Sequence, residues 1–98
     1  MRLNKKIVCQ DGFTMSVQAG ETQYCHPRRA GATKYTEVEI GFPNREEDLL
    51  MEFAEDRNRP TDTVYAYVPV SVVSLVIAKH GGMVEGELPA GVPILRAD

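Results

Sequence analysis

Tryptophan is absent from this chain and cysteine occurs only twice. Two cysteines cannot staple a small secreted scaffold, so reduced thiols are expected and stability has to come from a hydrophobic core. The one bridge open to a single chain is Cys9 to Cys25. A strong charge of one sign is lacking too. Eleven Lys and Arg against 14 Asp and Glu leave −3, which argues against a dedicated nucleic-acid binder with its basic excess or stripe. Long apolar runs are missing. No such run follows Lys5-Lys6, so the start reads neither as a signal peptide nor as an anchor. The longest uncharged stretch, Thr63 to Ala78, falls short of the roughly 20 residues that a membrane span needs, and Pro69 interrupts it. A cytoplasmic protein is expected. Phosphate loops, dinucleotide fingerprints, nucleophile elbows and zinc-protease helices are also absent, so the common enzyme classes have no foothold.

What is present is ordinary for a globule: 98 residues, 43% hydrophobic and 26% charged, enough for one core and no second one. Lys6–Cys9 and Phe13–Ala19 read as strands around Gln10-Asp11-Gly12, because Asp-Gly suits a hairpin turn. In the second strand Phe13, Met15 and Val17 alternate with Thr14, Ser16 and Gln18. Residues 20 to 34 have no period and contain Gly20, Pro27 and Gly31, so they read as a long loop. Tyr35–Phe42 alternates again, with Thr36, Val38, Ile40 and Phe42 on one side and Glu37 and Glu39 on the other.

Asn44 with Glu47 three residues on has capping-box spacing and predicts a helix over Arg45–Glu55. Leu49, Leu50, Phe53 and Ala54 would face the core, and Asp48, Glu52, Glu55 and Asp56 would form an acidic outer face. Val64–Val68 is a fourth strand, and Pro69 ends it and opens a helix over Val70–His80. There Val72, Val73, Val76, Ile77 and His80 share a face, and Gly81-Gly82 stops the helix. The order β-β-loop-β-α-β-α predicts an α+β two-layer sandwich. Its mostly antiparallel sheet of about four strands would carry two helices on one face. Residues 1–82 would form the domain and 83–98 an extended tail, packed on the domain or on a partner. The polar sheet face, with Thr14, Ser16, Gln18, Glu37 and Glu39, is either a partner surface or a solvated face of the usual antiparallel kind.

The stretch YCHPRRAG, from Tyr24 to Gly31, carries most of the reactive chemistry. Cys25 and His26 are adjacent, but neighbours in extended chain point apart, and a nucleophile–base pair needs hydrogen-bond reach and an orienting third group. A Cys25 enzyme is the least favoured reading. Cys9, Cys25, His26 and His80 are zinc-type ligands without the paired spacing of a zinc site, so no metal or other cofactor is expected. Cys9 reads as a small buried hydrophobe, and His80 as a packed histidine facing the carbonyls at its helix end. The cations behind the pair are more informative. His26, Arg28, Arg29 and Lys34 form a basic cluster in an acidic protein, and arginine forks hold phosphates or carboxylates while Tyr24 or Tyr35 offers a stacking ring. The cluster either binds a nucleotide-like anion or pairs with Glu21, Glu37 or Glu39 and pins the loop.

Taken together, the runs DGFTMSVQA, YCHPR, YTEVEIGFP and TVYAYVPVSVV resemble a group of small proteins encoded by tailed phages and prophages, over roughly residues 7 to 82. The resemblance implies no specific activity or catalytic residue. It does imply a bacterial host cytoplasm and action by binding. The first expectation is therefore a non-enzymatic protein that works by protein–protein contact, antagonising a host defence system through Asp48, Glu52, Glu55, Glu37 and Glu39. The alternative is a nucleotide-like anion held by Tyr24, His26, Arg28, Arg29 and Lys34. A homo-oligomer is compatible with either.

Overall fold

The computed structural model describes residues 3–98. Among them the chain is α+β, with five strands: β1 (Ile7–Cys9), β2 (Thr14–Gln18), β3 (Glu37–Gly41), β4 (Val64–Pro69) and β5 (Met83–Glu85). They form one antiparallel sheet in the order β4-β3-β2-β1-β5. The fifth strand departs from the expected four. Met83–Glu85 falls in the expected tail, since three residues beside Gly86 are too few for alternation to register, yet they pair with β1 and widen the sheet.

The first hairpin forms as its sequence predicts. Gly12 adopts a left-handed φ of 91°, and the Asp11 carboxylate accepts from the Phe13 amide across the turn. Alternation then puts Ile7, Cys9, Met15, Val17, Val38 and Ile40 inside, all essentially inaccessible to water. Tyr65 and Val68 of β4 and Val73, Val76 and Ile77 of α1 (Val70–Lys79) complete that layer. Each such side chain contributes about 1.5–3 kcal/mol by leaving water. The helix starts after Pro69 as expected, and its end is closed by Gly81 N–H to Ala78 and Gly82 N–H to Ile77. His80 is its C-cap.

The expected helix over Arg45–Glu55 is instead a 3-10 helix of six residues, Asp48–Phe53. The predicted cap is engaged elsewhere: Asn44 Oδ1 accepts from the Thr14 amide and Asn44 Nδ2 donates to Gly12 O, which fastens this segment to the first hairpin. Glu47 caps in its place, accepting from the Leu49 amide at 2.8 Å. Leu50 is buried, whereas Leu49, expected inside, is exposed. Strand β3 is shorter than expected as well. Thr36 and Phe42 fall outside it, and Phe42 turns out to solvent with φ 49°.

The polar sheet face is less bare than its pattern suggested. Gln18 is buried, because its amide donates to Asn4 O and Ser16 Oγ and its carbonyl accepts from the Asn4 amide. Residues 20–25 rise over β3 and β4: Tyr24 N–H donates to Glu39 Oε1 at 3.1 Å, and Tyr24 O accepts from the Tyr67 amide at 3.0 Å. The tail is tied down along its length, by Glu87 N–H to Lys5 O, Tyr35 N–H to Ala90 O, Met83 N–H to Leu95 O and Ala97 N–H to Met83 O. No helix among the described residues is long and apolar enough to cross a membrane.

Candidate functional site

The loop from Gly20 to Lys34 is built around two buried anchors. Cys25 Sγ donates to Gly20 O at 3.2 Å and accepts from the Gly20 amide, closing a tight arch whose thiol faces inward. Tyr35 Oη donates to Arg29 O at 2.7 Å and accepts from the Ala32 amide, folding the second half of the loop over its own ring. The backbone of His26 bridges to Glu37, which returns the chain to β3. Cys25 is therefore buried and His26 exposed, and the structure joins neither to the other nor to His80.

Outside this frame the loop presents Tyr24. Its ring lies 5.9 Å from that of Tyr67 at a tilt of 44°, and the Arg28 guanidinium sits 5.2 Å over the Tyr24 ring. Both tyrosines keep about two fifths of their surface in water, 39% and 43%. Tyr67 is held at φ 53°, a left-handed geometry that costs a bulky residue roughly 1–2 kcal/mol. That conformation points its N–H at Tyr24 O rather than along the sheet. The expected pairing of the loop cations with Glu21, Glu37 or Glu39 is not what forms. Arg28 lies on Tyr24, Glu39 takes the Tyr24 amide, and none of Arg28, Arg29 and Lys34 has an ion-pair partner among the described residues. The structure thus brings Tyr24, Arg28 and Glu39 together and adds Tyr67, which the sequence did not single out. His26, Arg29 and Lys34 are exposed on the same loop. Asp48, Glu52 and Glu55 are exposed beside the start of β4, where Glu55 N–H donates to Val64 O.

A second cluster, unforeseen in the sequence, surrounds His80. Its Nδ1 lies 2.6 Å from Asp11 Oδ2 and its Nε2 2.6 Å from Glu47 Oε1, and the Phe13 ring stacks on it at 4.1 Å and 10°. The two carboxylates thereby hold the ring from both sides, one at each nitrogen. Lys79 Nζ adds 2.9 Å to Glu47 Oε2, and Arg45 adds 2.9 Å to Asp11 Oδ2. Burial pushes the Glu47 carboxyl up, but the Leu49 amide, Lys79 and His80 outweigh it and hold it below the usual carboxylate range. The His80 hydrogen bond leads the causes that hold Asp11 low. Nearby, burial and the Asp11 charge push the Cys9 thiol up to about 11, so it stays protonated and inert. Because His80 is buried and both its nitrogens are occupied, the cluster offers no free base to a substrate. Its chemistry is that of a clamp joining the hairpin turn, the 3-10 helix and the end of α1. No local pattern announces it, since Asp11 and Glu47 stand 69 and 33 residues from His80.

Among the described residues no group of three or more His, Cys, Asp or Glu is arranged to hold a metal, and no cavity opens in the surface. Comparison with protein-family models, with curated proteins and with solved structures gives no match.

Proposed function

We propose that this chain is a small phage- or prophage-derived protein that acts in the bacterial cytoplasm by protein–protein contact, without catalysis, and that its target belongs to a host defence system. The observation that carries the contact reading is the exposed Tyr24–Tyr67 pair with Arg28 laid across it. Tyrosine and arginine are enriched at the energetic centres of protein interfaces, tyrosine because its ring adds large area for two rotatable bonds and arginine because its planar fork makes several directed hydrogen bonds. The irregular register between β3 and β4 at this point, with the Tyr67 amide bonded to Tyr24 O, holds Tyr67 outward at a left-handed φ. Asp48, Glu52 and Glu55, exposed beside the other end of β4, supply a charged rim that would steer a partner's approach.

The test is affinity capture of host proteins on the immobilised chain, quantified by mass spectrometry. A specific partner should be retained by the wild type and lost with Tyr67→Ser. Glu52→Lys with Glu55→Lys should chiefly slow its association. A lysate that yields the same proteins for wild type and Tyr67→Ser would end this reading.

A further inference from the structure

Charge is distributed unevenly around the proposed contact surface. Between Gly20 and Lys34, Arg28, Arg29 and Lys34 oppose only Glu21, so the loop carries +2 and the remainder of the chain −5. The three cations have no ion-pair partner among the described residues, although Glu37 and Glu39 belong to the strand directly beneath. Glu39 is turned to the backbone of Tyr24, whose amide donates to its Oε1 at 3.1 Å. The result is an aromatic pair with the Arg28 guanidinium over one ring and Arg29 exposed on the same loop, held by Cys25, Tyr35 and the Tyr67 amide.

Resting on the contact reading above, we infer that the loop recognises an acidic polypeptide segment, an apolar or aromatic residue lying against Tyr24 and Tyr67 and its neighbouring carboxylates meeting Arg28 and Arg29. Arginine forks match carboxylates in bidentate fashion, and Arg28, exposed 5.2 Å over the Tyr24 ring, has no ion-pair partner among the described residues. A long nucleic acid fits this surface less well. Its charge continues past the loop onto a body of −5, and at physiological salt repulsion is felt within about 8 Å. A short acidic segment ends before it meets that field.

The experiment uses the whole chain and a short fluorescein-labelled peptide of glutamate and tyrosine, with oligo-dT and a lysine–tyrosine peptide of matched length as comparisons, read by fluorescence anisotropy. The glutamate–tyrosine peptide should bind best and weaken as salt rises. Arg28→Glu with Arg29→Glu should reduce its affinity at least tenfold, as should Tyr67→Ser. Binding that is absent, unchanged in the arginine double variant, or stronger to oligo-dT overturns acidic-segment recognition. A host protein captured by the wild type, lost with Tyr67→Ser but kept by Arg28→Glu/Arg29→Glu would refute it too, while leaving the contact reading intact.

Discussion

Replacing Glu47 by Gln keeps the shape of the side chain and removes one charge from the His80 clamp. Glu47 is 2% exposed and meets three donors: the Leu49 amide, Lys79 Nζ and His80 Nε2. The glutamine carbonyl can keep the Leu49 bond, worth about 1 kcal/mol as a cap. Lys79 is half exposed and returns to water, so its share falls on the surface scale of about 0–1 kcal/mol. The main cost is at His80, which is buried and loses one of its two carboxylate partners, a loss on the scale of about 3–5 kcal/mol for breaking a buried pair. Since Asp11 still holds the other nitrogen, the lower end applies, and Glu47→Gln should lose about 3 kcal/mol. For a domain of this size that lowers Tm by more than about 10 °C. Urea unfolding at neutral pH, with an unchanged m-value, is the assay, and exposed Glu46→Gln is the control, expected within about 0.5 kcal/mol of wild type. A Glu47→Gln loss below about 1 kcal/mol would show that the clamp is a surface network, in which charge removal costs little.

Acid should weaken the same clamp. Asp11 and Glu47 have folded values below their ordinary ones, so their contribution is complete above the ordinary carboxylate range and disappears as pH falls through the depressed values. Stability followed by urea midpoint from pH 6 to pH 2 should therefore decline below about pH 4.5, and more shallowly in Glu47→Gln. Phe42→Gly relieves a left-handed φ at a half-exposed ring, and should be neutral or stabilising by up to about 1 kcal/mol in the same assay, a loss above that refuting the strain argument. Cys9 and Cys25, 1% and 2% exposed, should resist an aromatic disulfide reagent at neutral pH and both react once the chain is unfolded; rapid native labelling of Cys9 would contradict its raised pKa.

The parts of the fold that the sequence disclosed are those where one periodicity settles the matter locally. The Asp11-Gly12 turn, the alternation of Met15 and Val17, and the apolar face of α1 from Val73 to Ile77 all follow from spacing alone. Errors arise where a side chain chose a distant partner over a near one. Asn44 satisfies the hairpin instead of capping its own helix, and without that cap the acidic segment winds only as six residues of 3-10 helix. Strand β5 is legible only through its partner β1. At the candidate site, Tyr24, His26, Arg28, Arg29 and Lys34 were visible as residue types, but Tyr67 was not. Its role depends on a left-handed φ inside a strand, and no propensity foretells that for a tyrosine.

The His80 clamp bears on the order in which the chain assembles. Its two carboxylates reach the imidazole across 69 and 33 residues, so both bonds require the hairpin turn, the 3-10 helix and α1 to have already met. Closing such separations early is entropically expensive, and contacts of this kind belong to the last part of the folding route. Damage to the clamp would then spare the folding rate and hasten unfolding, making it a determinant of how long the folded molecule survives more than of how quickly it is reached.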